Sequence, residues 1–300
     1  MRYAPIAASA ALVLSLCAAS AFAQNAAEAG NGPKWIPMYE GVDIATYEVA
    51  DPLMKVIAAR IDLTVPGVEF KTTAPHENFK KEERETNRRT TAEFLKDRGL
   101  SVAVNGNFYG PFNATTIKTE GDANLTGLGV SDGFVESDPR DTYPSFVVKN
   151  DGSVDIKQYS VGDDLSDIAQ AVSGNKIVVQ DGAVPEFTDV KVHPRTAVGF
   201  SQDKRYVYFM TIDGRQAGFS VGATYAQVGA QLKYLGAYQG LNLDGGGSTT
   251  FVVRDSEGEP VVLNSPCNNT EDHLRHNANG IGVKANGAPK ETPAGFRFSK

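Results

Sequence analysis

The sequence predicts a single mixed α/β domain with a largely antiparallel sheet and many hairpins, and three observations support this fold class. Short runs rich in β-branched and aromatic residues recur along the chain, separated by turn pairs such as Asp132-Gly133. Strong helical periodicity extends over only one long segment, residues 224–236. That segment connects two apolar runs, residues 206–213 and 238–244, which is the order of a strand–helix–strand crossover.

The first 23 residues have the pattern of a secretory signal peptide. Arg2 gives a short positive start, an apolar run follows, and small residues stand at Ala21 and Ala23. We expect cleavage after Ala23 and a secreted or periplasmic product, because no later segment is long and apolar enough to cross a membrane. A lipoprotein anchored at Cys17 is the alternative, which the bulky leucine before that cysteine disfavours.

Composition indicates the domain boundaries. Residues 24–34 are small and polar and are expected to form a flexible arm, whereas structure begins near Trp35. A tail containing Gly and Pro occupies residues 286–300, which leaves residues 35–285 as one domain. The chain is long enough to form a core without a disulfide framework.

The first half of this domain is predicted to contain strands and one short helix. Strands are predicted over residues 53–63 and 68–74, which are β-rich and separated by a Pro-Gly turn pair, and over the apolar run 100–106. A helix is predicted over residues 90–99, because a threonine can cap its start and Gly99 can close it.

The second half is predicted to be rich in hairpins. Residues 145–159 alternate around an Asn-Asp-Gly turn, and residues 195–215 form two apolar runs around a polar turn. The long helix is capped by Thr224 and ended by Gly236. Its apolar face consists of Tyr225, Val228, Leu232 and Leu235.

Composition also argues against several functions. The chain has 36 acidic and 29 basic residues, whereas binding to nucleic acid needs a basic patch. After signal cleavage Cys267 is the only cysteine, so neither an internal disulfide nor a thiolate metal site can form. The spacing of His193, His273 and His276 is not that of zinc ligands. No cofactor is expected, and a calcium ion held by Asp and carbonyl oxygens stays open as an alternative.

The two strands that flank the long helix both end in an aspartate followed by glycine. Asp213 begins "DGRQ", and Asp244 is followed by Gly245, Gly246 and Gly247. Ligands bind at the carboxyl ends of strands joined by parallel crossovers, so we expect the two carboxylates to share a site. Three glycines also let backbone N–H groups approach an anion without a Cβ in the way. A glycine-rich turn capped by Asp244 is the alternative.

Known glycine motifs do not fit this loop. A nucleotide phosphate loop requires a lysine, and none is present. A dinucleotide-binding motif opens a helix, whereas Ser248 is followed by a predicted strand. The elbow of serine hydrolases has glycine where Thr250 stands here.

Six segments follow one another along the chain in this order: "SVAVNGNFYG", "RTAVGF", "YFMTIDGRQAGFSVGAT", "LGAYQGLNLDGGGSTTFVV", "VLNSP" and "NANGIGV". Together they resemble the phosphodiester glycosidase family, over about residues 57–283. The D-G-R and N-L-D-G-G-G-S-T-T motifs are the most specific part of this resemblance. Two departures stand out, because Asn107 replaces a residue that is often small in relatives, and His276-Asn277 replaces a frequent Pro-Val.

The resemblance implies a hydrolase that cleaves the C–O bond of a sugar-1-phosphodiester in an envelope or extracellular glycan, releasing the sugar and a phosphomonoester. It implies a site formed by Asn105, Asn107, Arg195, Asp213, Arg215, Asn242, Asp244, Ser248, Thr249, Arg275 and Asn279. Within that site we expect Asp244 to be the base or nucleophile, and Asp213 to be its partner or to orient Arg215. The arginines and the N–H groups of the three glycines are expected to bind the phosphate.

Two other functions remain as alternatives. The chain could be a module of exopolysaccharide or envelope assembly that binds a sugar phosphate without turnover. It could also be an exported phosphodiesterase that cleaves the P–O bond. The expected partner in every case is a phosphorylated carbohydrate or glycan, with no nucleic acid and no membrane-spanning segment after signal cleavage.

Overall fold

Short antiparallel strands account for most of the regular structure in the computed structural model, which describes residues 32–113, 115–267 and 274–299. The strands in these residues are β1 (Ile36–Tyr39), β2 (Val42–Ala50), β3 (Leu53–Asp62), β4 (Glu69–Thr72), β5 (Thr86–Arg88), β6 (Val102–Asn105), β7 (Tyr109–Gly110), β8 (Gly121–Leu125), β9 (Gly129–Ser131), β10 (Phe134–Ser137), β11 (Ser145–Lys149), β12 (Val154–Lys157), β13 (Ile168–Ser173), β14 (Lys176–Val179), β15 (Arg195–Phe200), β16 (Tyr206–Ile212), β17 (Gln239–Asn242), β18 (Phe251–Arg254), β19 (Pro260–Val262) and β20 (Gly280–Lys284). The α-helices there are α1 (Thr91–Arg98) and α2 (Tyr225–Leu235).

The strands form four sheets rather than the one sheet predicted from the sequence. A seven-stranded sheet has the order β1-β2-β3-β16-β15-β17-β14, and two five-stranded sheets have the orders β19-β18-β6-β20-β4 and β10-β9-β13-β11-β12. The fourth sheet is β5-β8-β7. The antiparallel, hairpin-rich character is confirmed, but the fold is mostly β. Alternation along a strand predicts which face is buried and says nothing about which sheet the strand joins.

Helix α2 connects two strands of the seven-stranded sheet. Strand β15 lies between β16 and β17 and is antiparallel to both, so β16 and β17 run in the same direction. The Thr224 hydroxyl accepts a hydrogen bond from the Gln227 N–H in a capping box, and Gly236 ends the helix with φ 111°. The predicted apolar face is buried, which confirms the helix and both its ends.

Helix α1 also begins and ends where local signals predict. Thr90 forms a capping box with Glu93, and Gly99 closes the helix in the left-handed conformation with φ 62°. The helix buries Phe94 and Leu95 in a small core cluster against strands β6 and β18.

The main core lies between the seven-stranded sheet and the two five-stranded sheets. Phe209 comes from the first, Phe251 from the sheet that contains β6, and Phe146 from the sheet that contains β11. This packing brings together the ends of β6 and β17, which belong to different sheets. The two ends are in contact, since the Asp244 N–H donates to the Gly106 carbonyl at 3.0 Å. The candidate site forms at this junction.

Some predicted boundaries fall at or beyond the edges of the described residues. The signal peptide, its cleavage after Ala23, Cys17 and most of the arm at 24–34 lie outside them. Residues from Pro33 onward group into one unit by their contacts. The segment predicted as a tail contributes Phe296 to the main core. None of the helices in the described part of the chain has the length and hydropathy of a membrane span.

Candidate active site

Asp244 is held by its backbone and side chain at the junction of the two sheets. Its carbonyl accepts a hydrogen bond from Asn105 Nδ2 at 2.7 Å, and its carboxylate Oδ1 accepts one from the Gly245 N–H at 2.8 Å. The chain then makes a single 3₁₀ turn over Gly246–Ser248 before β18 begins. Asp244 is thus fixed where a strand ends and a tight turn starts, as the sequence predicts.

The surroundings of Asp244 shift its acidity towards neutral pH. Burial raises the pKa of this half-buried carboxyl to about 6, although Ser248, the Gly245 N–H and the positive charge of Arg275 act in the opposite direction. A carboxyl group with such a pKa exchanges protons readily near pH 7. The position can therefore support acid–base chemistry.

Two of the three glycines make room for arginine side chains. A Cβ on Gly247 would lie 2.6 Å from Arg275 Cζ, and a Cβ on Gly246 would lie 3.3 Å from Arg215 Nη1. Gly246 also has φ 63°, which L side chains rarely adopt. The loop thus lies directly against two guanidinium groups.

Gly245, the first glycine, makes room for a backbone carbonyl. Its surroundings correct part of the prediction that the three N–H groups bind an anion. A Cβ on Gly245 would lie 2.6 Å from the Pro194 carbonyl oxygen. That same oxygen accepts a hydrogen bond from the Gly246 N–H at 2.9 Å, while the Gly245 N–H donates to Asp244. Two of the three N–H groups expected to bind an anion are therefore already bonded within the protein.

Arg215 lies exposed at the edge of the loop beside a histidine. Its Nη2 lies 3.0 Å from His193 Nδ1, and its Nη1 lies 4.0 Å from Cys267 Sγ. A guanidinium only donates, so His193 Nδ1 accepts and the ring is neutral, with its proton on Nε2. Burial, and then the charges of Arg195 and Arg215, lower the pKa of His193, which favours this neutral form.

Arg275 lies against the third glycine of the loop, Gly247. Its Nη1 donates to Ser248 Oγ at 3.4 Å, and its guanidinium carbon lies 5.1 Å from the centroid of the Phe112 ring. Within the described residues, neither Arg275 nor Arg215 forms a salt bridge, whereas Arg60 and Arg205 do. Two positive charges therefore line the loop that follows Asp244, and that of Arg275 acts on the Asp244 carboxyl itself.

Arg195, the third predicted arginine, is buried behind the loop. Its Nε donates to the Ala223 carbonyl at 2.9 Å, and its Nη2 donates to the Lys191 carbonyl at 3.1 Å. Its guanidinium carbon lies 4.1 Å from the centroid of the Tyr225 ring. These contacts link β15 to neighbouring loops and to α2.

Asp213 is buried and its carboxylate bonds to a neighbouring loop. Both oxygens accept from the Ser265 N–H, at 3.0 and 2.9 Å, and Oδ1 also accepts from Asn264 Nδ2 at 2.9 Å. The carboxylate therefore fixes the segment that leads to Cys267. The prediction that Asp213 is the partner of Asp244 or orients Arg215 stays a prediction.

The predicted asparagines are buried, and their amides bond within the protein. Asn105 Oδ1 accepts from a threonine hydroxyl at 2.7 Å. Asn107 and Asn279 bond each other twice, at 2.7 and 3.0 Å. Asn242 Nδ2 donates to a neighbouring asparagine at 2.9 Å, and Thr249 is also fully buried. These side chains brace the strand ends around the site.

Sequence reasoning did not single out Tyr109 and Phe112. The Tyr109 hydroxyl donates to the His276 carbonyl at 2.8 Å. Burial, followed by the charge of Asp244, raises the pKa of Tyr109 well above its usual value. Its place in "NGNFYG", just after β6, was an available signal, whereas Phe112 lies in a loop with no distinctive pattern.

The described residues contain no side-chain cluster suited to a metal ion. Across residues 32–113, 115–267 and 274–299, no group of three or more His, Cys, Asp or Glu side chains is arranged to hold a metal ion. His273 lies outside the described residues.

The family model of the phosphodiester glycosidases matches residues 98–284, and the chain belongs to this family. That span contains Asp213, Asp244 and the arginines around them. No curated protein sequence matches the chain.

Three solved structures share the fold. The catalytic domain of zebrafish N-acetylglucosamine-1-phosphodiester α-N-acetylglucosaminidase, auto-inhibited by its pro-peptide, is 18% identical, with a TM-score of 0.60 over 87% of this chain and 90% of that one. A hypothetical protein from Synechocystis is 13% identical, with a TM-score of 0.57 over 86% of this chain and 64% of that one. A Burkholderia pseudomallei protein described as exported is 14% identical, with a TM-score of 0.54 over 77% and 74%.

Proposed function

We propose that this protein is an exported hydrolase that cleaves the glycosidic C–O bond of a sugar-1-phosphodiester and releases the sugar and a phosphomonoester. The observation that carries the proposal is the position of Asp244, a carboxyl with a pKa of about 6, at the start of a glycine loop. Arg275 acts on this carboxyl, and both Arg275 and Arg215 lie against the loop. The family, and the activity in the name of the zebrafish enzyme, support the same reaction.

The arginines suit the phosphate part of such a substrate. A phosphodiester carries one negative charge at neutral pH and presents two oxygens that a guanidinium can bond as a fork. Arg215 and Arg275 lie against adjacent glycines of the loop, so both can approach a phosphate placed beside it. The Ser248 hydroxyl accepts a hydrogen bond from Arg275 and so helps to hold that guanidinium in place.

Asp244 suits the attack on the sugar. Acting as a base, it removes a proton from water as the water oxygen bonds to the anomeric carbon. The bond from that carbon to the phosphate oxygen breaks, and its electron pair leaves with the phosphate. Because phosphate is a good leaving group, the reaction needs little protonation by a second carboxyl.

Asp213 is proposed to position the site without touching the substrate. Its two oxygens accept hydrogen bonds from Ser265 and Asn264. These residues precede Cys267, whose sulfur lies next to Arg215. Loss of Asp213 would leave the half-buried Ser265 N–H without its acceptor and release that segment. We therefore expect Asp213 substitutions to reduce stability and activity together.

Export is part of the proposal and rests on the signal-peptide pattern of residues 1–23. The structural neighbour from Burkholderia that is described as exported has the same fold.

A screen of sugar-1-phosphodiesters tests the proposal directly. The chain from Gln24 onward should release free sugar from at least one of them, while Asp244→Asn should not. Asp151→Asn is the matched control, because Asp151 is an exposed turn residue and its variant should keep full activity. Equal turnover by the Asp244 and Asp151 variants would reject the assignment, and so would the absence of any hydrolysis by the unmodified protein.

A further inference from the structure

Phe112 is the most exposed phenylalanine in the described residues, with 58% of its surface accessible. A phenyl ring in water gains little of the stabilisation that burial would give, and a ligand that covers the ring would supply it. Phe112 also lies beside the proposed catalytic loop, because Arg275 packs on its ring.

The ring is held in place by two contacts. It packs edge-to-face with Tyr109, with centroids 6.0 Å apart and planes at 73°. The guanidinium of Arg275 lies over it at 5.1 Å. A side chain fixed in this way loses little conformational freedom when a ligand packs against it.

The same arginine connects the ring to the reacting carboxyl. Arg275 donates to the Ser248 hydroxyl, and both Ser248 and Arg275 interact with Asp244. Phe112, Arg275 and Asp244 therefore form one continuous wall, with an apolar part, a cationic part and an acidic part.

We propose that Phe112 is the sugar-binding platform of this site, a role that rests on the proposed function and specifies its substrate class. The exposed part of the ring packs against the C–H face of a hexopyranose, while Arg275 bonds the adjacent phosphate. Binding sites commonly combine an aromatic wall with a few placed polar groups, and a pyranosyl phosphate presents the matching pair of surfaces.

Binding measurements separate the platform from the anion site. Calorimetry on the chain from Gln24 onward would compare glucose 1-phosphate and N-acetylglucosamine 1-phosphate with glycerol 3-phosphate, which has the same charge and no ring. Phe112→Ala should weaken binding of at least one hexose phosphate roughly 3- to 10-fold and leave glycerol phosphate unchanged. Phe112→Tyr should restore the affinity.

Phe134→Ala is the matched control. Phe134 is 46% exposed and packs edge-to-face with Phe79, so the variant loses a similar contact elsewhere, in strand β10. It should bind all three ligands normally. Its melting temperature, measured beside that of Phe112→Ala, calibrates the effect of losing such a pair on the fold.

Two results would overturn the platform. One is an unmodified protein that binds neither hexose phosphate more tightly than glycerol phosphate. The other is a Phe112→Ala variant that keeps its preference for hexose phosphates or loses affinity for all ligands equally. Turnover of phosphodiesters is measured separately, so the hydrolase proposal and the platform can fail independently.

Discussion

Replacing Gly247 by alanine should displace one guanidinium and leave the fold intact. The new Cβ would lie 2.6 Å from Arg275 Cζ, whereas ordinary contacts begin near 3.4 Å, so the guanidinium must move by about 1 Å. It can move because it is the end of a flexible, half-buried side chain. Gly247 does not have a positive φ, so alanine brings no backbone strain.

The Gly247→Ala substitution is expected to reduce activity rather than stability. A displacement of about 1 Å in a positioning group can reduce turnover by roughly 100-fold, so we expect kcat/KM for a sugar-1-phosphodiester to fall by about that factor. The free energy of unfolding should change by less than about 1 kcal/mol, because Gly→Ala at a compatible position mainly restricts the unfolded chain.

The assay is steady-state hydrolysis measured beside thermal unfolding for three variants. Gly295→Ala is the matched control, because its Cβ would meet nothing within 4 Å and both activity and stability should be unchanged. Gly245→Ala should lose stability as well, since its Cβ would press on the fixed Pro194 carbonyl. Normal kcat/KM in Gly247→Ala would refute the view that the loop is shaped to seat Arg275.

The remaining predictions concern charge and processing. Asp244→Asn should lower kcat at least ~100-fold. The kcat/KM of the unmodified protein should fall as pH drops below about 6, the pKa of Asp244. Activity that stays constant down to pH 4 would contradict the assignment of Asp244 as the base. Because folding raises this pKa from 3.8, the folded protein favours the protonated form, and its stability declines as pH rises through that window. Asp244→Asn should therefore raise the melting temperature more at pH 7 than at pH 4, and an equal shift at both would contradict the raised pKa. Arg215→Lys should weaken turnover strongly despite the kept charge, because an ammonium cannot bond two phosphate oxygens as a fork; near-normal turnover would exclude Arg215 from the anion site. Mass measurement of the exported protein should give an N-terminus at Gln24, and a lipid-bearing N-terminus at Cys17 would overturn the cleavage prediction.

Local signals in the sequence were sufficient for the helices and hairpins. Thr224 and Gly236 bound the long helix in the structure as they do in the sequence, because capping and helix termination depend on a few adjacent residues. The division into sheets was not predictable in this way. Strand β6 pairs with β18 and β20, which follow it by more than a hundred residues, and nothing in its own pattern specifies those partners.

The candidate site was predictable where a motif lies in one short stretch. The run after Asp244 indicated close approach, and the structure has two guanidinium groups and a carbonyl at those glycines. Asn107 and Asn279 bond each other, and their predicted contact with substrate stays a prediction. A buried asparagine at a strand end has the same sequence signature whether it contacts a ligand or braces the backbone. Phe112 could be found only from its packing on Arg275, which is distant in sequence.

The most direct test of the central claim is hydrolysis of a sugar-1-phosphodiester in water enriched in heavy oxygen, followed by mass spectrometry of both products. If water activated by Asp244 attacks the anomeric carbon, the label enters the released sugar and the phosphomonoester stays unlabelled. Label in the phosphomonoester would mean that the P–O bond breaks, and would contradict the assignment of this protein as a glycosidase.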